Sequence, residues 1–445
     1  MKTLPTAITW AAVTAFACAL TSAHAADTAM LRGSLARSGL TEAPGVPEAP
    51  ALKWKVKTGA PVASSPVVAD GTLFIGSNDG NVYALDVATG AQRWKTRTGG
   101  RVASSAAVAD GRVFIVSYDS NLYALDATSG EVRWKFATDG ERRFTAKHLH
   151  GAEPAAEMMA DPFDVYLSSP AVERGVVYFG SGDGNVYAVD ATSGALKWKF
   201  KTGDVVHASP ALANGTLYIG SWDSYFYAID TATGRQKWRF KTGEDHKIYN
   251  QVGIQSSAVV VNGVVYFGCR DSKVYAVDAA TGKERWSYSN KGSWVIATPI
   301  VRADTLYFST SDSGMFQAVD AGTGKALYSL KFIWPSFSSP TIARDVLYIG
   351  SHAGKLLAID LNSRKLAWEF VTDGVRENGA RYIKPDGTPN YEAAFGNFFH
   401  DEMVVGVDRM MSIGAVLSTP AVVGSTVVFG SMDGNVYALA APEPG

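Results

Sequence analysis

The chemically most versatile residues in this 445-residue chain are its histidines. Setting aside His24 near the N-terminus, there are six: His148, His150, His207, His246, His352 and His400. Imidazole titrates near neutral pH and is the commonest metal ligand, so six such groups gathered in one place would suit acid–base or metal chemistry. Lys147-His148-Leu149-His150 lies near Glu153, Glu157, Met158, Met159 and Asp161, and His400-Asp401-Glu402-Met403 precedes Met410-Met411. A His-x-His pair beside carboxylates and thioethers offers copper or zinc a donor set, which makes His148, His150 and His400 metal candidates, although their spacing matches no strong metal signature. A second set, Trp222, Trp294, Trp334 and Arg270 with His207 and His352, is suited to a planar or anionic ligand held by stacking and a guanidinium contact. No Gly-rich phosphate loop, nucleophile elbow or His-Glu-x-x-His pair is present.

What must position these groups is a repeat. A unit reading Ser-Ser-Pro-Val-Val, Leu-Phe-Ile-Gly-Ser, Asp-Gly-Asn-Val-Tyr-Ala-Leu-Asp and Thr-Gly-x-x-x-Trp-Lys appears first between Ser64 and Lys95 and recurs along the chain. The aspartate that ends its third run falls at Asp86, Asp126, Asp190, Asp230, Asp278, Asp320 and Asp360, and an eighth copy ends at Ala440. Four short β-rich runs per unit, separated by Gly, Asn and Asp turns, are the pattern of a four-stranded propeller blade. The expected fold is therefore all-β: an eight-bladed β-propeller of four-stranded antiparallel blades, with strands a to d in each. The eighth copy has no strand d, whereas Leu52-Lys53-Trp54-Lys55-Val56-Lys57 reads as a strand d without a blade. Pairing this N-terminal outer strand with the last three strands closes the ring and removes its free edges.

Chain direction alternates from a to d, so the d-to-a connections and the b-to-c hairpins open on one face, here called the top. Extra residues cluster in d-to-a connections, giving top-face insertions at 139–166 and 373–415. All six histidines fall on this face, as does the third residue of each b-to-c hairpin: Asn78, Tyr118, Gly182, Trp222, Arg270, Ser311, His352 and Met432. That position varies while its neighbours repeat, as expected for residues released from scaffold duty. Loops on a rigid scaffold are where binding function usually sits.

The consensus Ala-x-Asp-x-x-Thr-Gly-x-x-x-Trp, seen at 84–94, at 188–198 with Ser193 for the Thr, and at 228–238, resembles the tryptophan-docking repeat of the quinoprotein-like propellers. That superfamily includes the pyrroloquinoline-quinone (PQQ) dehydrogenases and the BamB-like envelope scaffolds. The resemblance implies a structural docking role for Trp54, Trp94, Trp134, Trp198, Trp238, Trp286 and Trp368. Two departures, Tyr328 in place of Trp in blade 6 and Asn362-Ser363-Arg364 in place of the Thr-Gly turn in blade 7, imply locally looser blades. For the dehydrogenase branch it implies PQQ with Ca²⁺ and a vicinal Cys-Cys disulfide, yet here Cys269 stands alone beyond the N-terminal segment, and no Cys-x-x-Cys-His haem motif occurs.

Lys2, the apolar run Ile8–Leu20 and the small residues ending at Ala25 read as a signal peptide, 1–25, cleaved near Ala25. Cys18 lacks the preceding residues that a lipid-anchor signal would need. Residues 26–50 read as a linker, 51–440 as the propeller and 441–445 as a tail. A formal net charge of −1 and the lack of a long apolar stretch suggest neither a nucleic-acid partner nor a membrane span. The expectation is a periplasmic or secreted monomer, a binding or scaffold protein of the cell envelope that uses its top face for a protein partner or a small ligand. The alternatives are a PQQ-dependent dehydrogenase and a metal-using envelope protein.

Overall fold

The computed structural model describes residues 29–397 and 399–442. The expected signal peptide, with Cys18, and the last three residues of the tail lie outside them. Eight antiparallel sheets form the propeller. In blade 1 the strands are a, Val67–Ala69; b, Thr72–Gly76; c, Asn81–Asp86; and d, Gln92–Arg97. Strands b and c are apolar on both faces because each blade is packed between two neighbours. Strand d is outermost, so in Gln92–Arg97 the central Trp94 is buried between exposed polar residues.

The turn before strand d is built by the repeat aspartate. Asp86 Oδ1 accepts the backbone N–H groups of Ala88 and Thr89 and the Thr89 hydroxyl, and Asp126, Asp190, Asp230 and Asp278 repeat this. Gly90 follows with φ of 76°, and a Cβ there would lie 2.8 Å from the Trp54 ring. The glycine thus serves the turn and the approach of the neighbouring indole. That indole donates its Nε1 hydrogen across the blade junction, from Trp54 to Val87 O at 3.1 Å, Trp94 to Ala127 O at 3.0 Å and Trp198 to Thr231 O at 2.9 Å. Trp238 and Trp286 follow the same pattern, whereas the Trp134 indole nitrogen is buried without a partner.

The ring closes through Ala51–Lys57, which pairs antiparallel with Asn435–Ala440 and carries a bulge between Leu52 and Trp54, where the other blades have theirs. The segment before it, expected as a linker, is docked. Ala29–Met30 adds to the inner edge of blade 2 and Leu40–Thr41 to that of blade 7. Between them Arg32 and Arg37 are buried. Inner strands leave carbonyls without ladder partners, and buried carbonyls need donors. Arg32 supplies them to Pro340 O at 2.8 Å and Pro299 O at 2.9 Å, and Arg37 to Pro210 O at 2.9 Å and Ser169 O at 3.0 Å. Val46 O, in turn, accepts the Trp368 indole at 2.8 Å, completing the one docking contact for which the eighth unit has no turn.

The two departures from the repeat are coupled. Arg364 occupies the place of the turn glycine in blade 7, and the aromatic facing it is Tyr328, with the guanidinium 5.1 Å from the ring centroid. A phenol in place of an indole leaves room for the arginine side chain, and a cation–π contact fills it, where loosening was expected.

On the top face, six blades share a clasp. The hairpin aspartate accepts the hydroxyl of a tyrosine four residues on and a backbone N–H from the preceding d-to-a turn. Asp79 takes Tyr83 at 2.6 Å and Gly59 N at 2.9 Å; Asp223 takes Tyr227 at 2.6 Å and Gly203 N at 2.7 Å. Asp119, Asp183, Asp271 and Asp433 do the same with Tyr123, Tyr187, Tyr275 and Tyr437. These carboxylates are scaffold. Among the described residues, no helix is long and apolar enough to cross a membrane.

Candidate functional site

The insertions fold over the top. The first makes a small hairpin, Thr145–Lys147 with Met158–Ala160. The second, read only as an insertion in an all-β chain, holds helices α1 (Asp373–Tyr382), α2 (Tyr391–Ala394) and α3 (His400–Met411). Helix α3 buries Met403, Gly406, Val407 and Met411, one face at helical spacing, with Asp401 and Glu402 in its first turn where the helix dipole favours negative charge. The insertions meet where the His400 backbone N–H donates to Glu153 O at 3.1 Å.

The first insertion is pinned by charge. His207, buried at the start of blade 4, places Nδ1 2.7 Å from Asp164 Oδ1 and Nε2 2.8 Å from Glu141 Oε1, with all three side chains at most 1% exposed. Burial opposes protonation, but two carboxylates outweigh it and raise the imidazole to about 10. An imidazole held above its ordinary value contributes stability fully below about pH 6.5, and that contribution is lost as pH rises through the folded value. We predict that the melting temperature falls between about pH 7 and pH 10.5 and that His207→Gln removes most of this pH dependence. Parallel pH profiles for the two proteins would refute the assignment.

Trp222, Arg270 and Trp294 are also occupied by one another. The Phe144 ring stacks on Trp222 at 4.6 Å and 12°. The Arg270 guanidinium lies 4.7 Å from the Trp222 ring and 3.9 Å from Trp294, so ring, ring, cation and ring form one column. Arg270 Nη1 is 2.8 Å from Asp161 Oδ2, both side chains being 0% exposed, and Gln255 Oε1 accepts a weaker bond at 3.3 Å. The guanidinium and His150 hold the Asp161 carboxyl well below its usual range despite burial. His150 Nε2 lies 3.2 Å from Asp161 Oδ2 without hydrogen-bond alignment, and its Nδ1 lies 2.9 Å from Asn250 Oδ1.

His148 and His400 go elsewhere, to 4.0 Å from Glu153 and 3.9 Å from Glu157. Among the described residues, no three His, Cys, Asp or Glu side chains gather in a metal-binding group. Trp334 and His352 do converge. With Trp294 they line a cavity of about 180 Å³ beside blades 6 and 7, closed by Phe163 from the first insertion and by Tyr391, Phe395 and Met411 from the second. His352 is buried, which lowers its pKa to about 3 and leaves it neutral, and its Nε2 has no partner. Sequence reasoning missed Asp312, Phe163 and Tyr391 on this wall. A signal for Asp312 was present, because its hairpin breaks the Asp-Gly-Asn-Val-Tyr pattern.

The family model described as outer membrane protein assembly factor BamB matches residues 48–164 and 157–370, most of the propeller. The chain belongs to this family. Solved structures share the fold of this BamB-family propeller. BamB from Moraxella catarrhalis is 16% identical with a TM-score of 0.64, over 88% of this chain and 100% of that one. Quinohemoprotein alcohol dehydrogenase from Comamonas testosteroni is 14% identical with a TM-score of 0.66, over 94% and 81%. A europium-containing methanol dehydrogenase is 16% identical with a TM-score of 0.64, over 92% and 97%. Such identities establish a common propeller and not a common use. No curated protein matches the sequence.

PQQ, which the resemblance to the dehydrogenase branch implies, is a flat tricarboxylate. In this BamB-family chain the slot between Trp222 and Trp294 holds the protein's own Arg270, and Cys269 is buried with no second cysteine among the described residues. Among the described residues, the cavity wall carries the Asp312 carboxylate and neither lysine nor arginine. These residues do not fit PQQ.

Proposed function

We propose that this chain is an exported binding protein of the cell envelope that docks a protein partner on the top face of its propeller. The observation that carries this reading is where apolar surface remains exposed. Met158 is 58% exposed on the first insertion, and Phe399, Tyr391 and Val405 are 51%, 49% and 41% exposed on the second, while the buried charges beneath are paired within the chain. The remaining exposed large apolar residues include Leu52, Val132, Leu196, Leu327 and Leu366, one to a blade on outer strands, as isolated surface residues usually are. Exposed apolar side chains on two insertions that meet each other suit an interaction surface, and family membership supports an assembly role.

The test is site-specific photo-crosslinking in intact envelopes, with the probe at position 399 and, as control, at Ala88 on the opposite face. One defined protein adduct at 399, absent at 88 and reduced about tenfold by Met158→Ser, is expected, since anchor residues at an interface are worth ~1–2 kcal/mol or more each. Equal adducts at both sites, or none at 399, would remove the reading.

A further inference from the structure

The clasp that ties six blades together is broken twice, in adjacent blades. In blade 6 the tyrosine position is Gln317, and the hairpin is one residue longer, so that Thr310 N bonds Met315 O where Ser77 N bonds Asn81 O in blade 1. In blade 7 the aspartate position is Ala353 and the tyrosine position Leu357. The junction between blades 5 and 6 is closed by hydroxyls: Ser311 Oγ accepts Trp294 N at 2.9 Å and Ser293 Oγ accepts Ser313 N at 3.1 Å. Asp312 is therefore a hairpin aspartate relieved of its structural duty, and it lines the cavity. The cavity sits where the scaffold has been altered.

Its chemistry is one-sided. Phe163, Trp294, Trp334, Phe337, Tyr391 and Phe395 supply six aromatic rings, and Met410 and Met411 add polarizable thioethers. Ring faces are negative and attract cations. Among the described residues, the only acidic side chain on the wall is Asp312, and no lysine or arginine lines it. The nearby Arg270 is already paired with Asp161 at 2.8 Å, and burial raises the Asp312 carboxyl above its usual range, a penalty that a cation beside it would relieve. His352, buried and with an unpartnered Nε2, adds a hydrogen-bonding group without charge. A volume of about 180 Å³ is an order of magnitude more than the roughly 10–15 Å³ that one water requires.

We propose that this cavity binds a small organic ammonium ion, its cationic head among the aromatic rings with Asp312 as counter-charge and His352 bonding a polar substituent. The proposal is independent of protein docking and is tested on purified full-length mature protein without a partner. Tetramethylammonium, choline and putrescine are titrated by calorimetry and tryptophan fluorescence, beside 3,3-dimethylbutan-1-ol, the uncharged isostere of choline. At least one ammonium ion is expected to bind saturably, the neutral isostere about tenfold more weakly than choline, and Asp312→Asn and Tyr391→Ala are expected to weaken the cation about tenfold each. Both substitutions lie at half-exposed or exposed positions, and an unchanged melting temperature confirms that each variant is folded. Absence of saturable binding by all three cations, equal binding of the isostere, or full affinity in both variants overturns the proposal.

Discussion

Replacing Arg270 with alanine is expected to lower the unfolding free energy by about 3–5 kcal/mol, because it leaves the Asp161 carboxylate buried without its main partner. The loss also removes the cation from between Trp222 and Trp294 and opens a gap between two indoles. Urea unfolding followed by tryptophan fluorescence measures it. The pair itself need not be stabilising, since two charges taken from water are costly to bury. Replacing both partners, as in Asp161→Leu with Arg270→Met, should therefore cost less than the sum of the single losses, and the difference is the coupling energy. A single Arg270→Ala loss of less than about 0.5 kcal/mol, the size of an ordinary surface change, would show that the column is not under load. The partner in this pair comes from the first insertion, so the same variant should loosen that insertion before the blades.

Deleting Ala51–Lys57 should have the larger structural effect. It removes the outer strand of blade 8, the Trp54 indole bond to Val87 O, and the ring closure that leaves no blade with a free junction. A single cooperative melt should be replaced by a broad, early transition with aggregation, as an exposed sheet edge invites pairing with other chains. A circular permutant that moves residues 51–57 behind Ala440 by a short linker should recover cooperative melting, which distinguishes loss of the strand from loss of closure. A deletion variant that melts as the intact chain does would refute closure by this strand.

The propeller was legible because the repeat states its structure eight times. Asp86 and its counterparts, the turn glycine and, apart from Trp368, the docking tryptophan each act within about forty residues, so local spacing reports them. The same regularity makes departures readable: Tyr328 and Arg364 each looked like a weakness alone, and only their contact at 5.1 Å showed them to be complementary. Asp312 could have been read in the same way, from the Gln317 that replaces its tyrosine. The docked arginines could not. Arg32 reaches carbonyls 267 and 308 residues away, and nothing in its own neighbourhood specifies them.

The side chains singled out for chemistry divide along the same line. Connectivity alone placed His207, Trp222, Arg270, Trp294, Trp334 and His352 on the top face, since strand direction alternates and the face of a loop follows from its position in the unit. Whether each is free to meet a ligand was decided by the insertions, which do not repeat and so carry no register. Asp164 lies 43 residues from His207, and Asp161 lies 109 from Arg270. Both carboxylates were visible in the chain, but their arrival beside a buried cation depends on how the insertion packs. The sequence by itself determined the architecture, its closure and the face on which function is sought, because short-range periodicity encodes all three. The tertiary structure alone decided that His207 and Arg270 hold the cap in place while Trp334 and His352 line a cavity, because burial and long-range charge pairing exist only once the chain has folded.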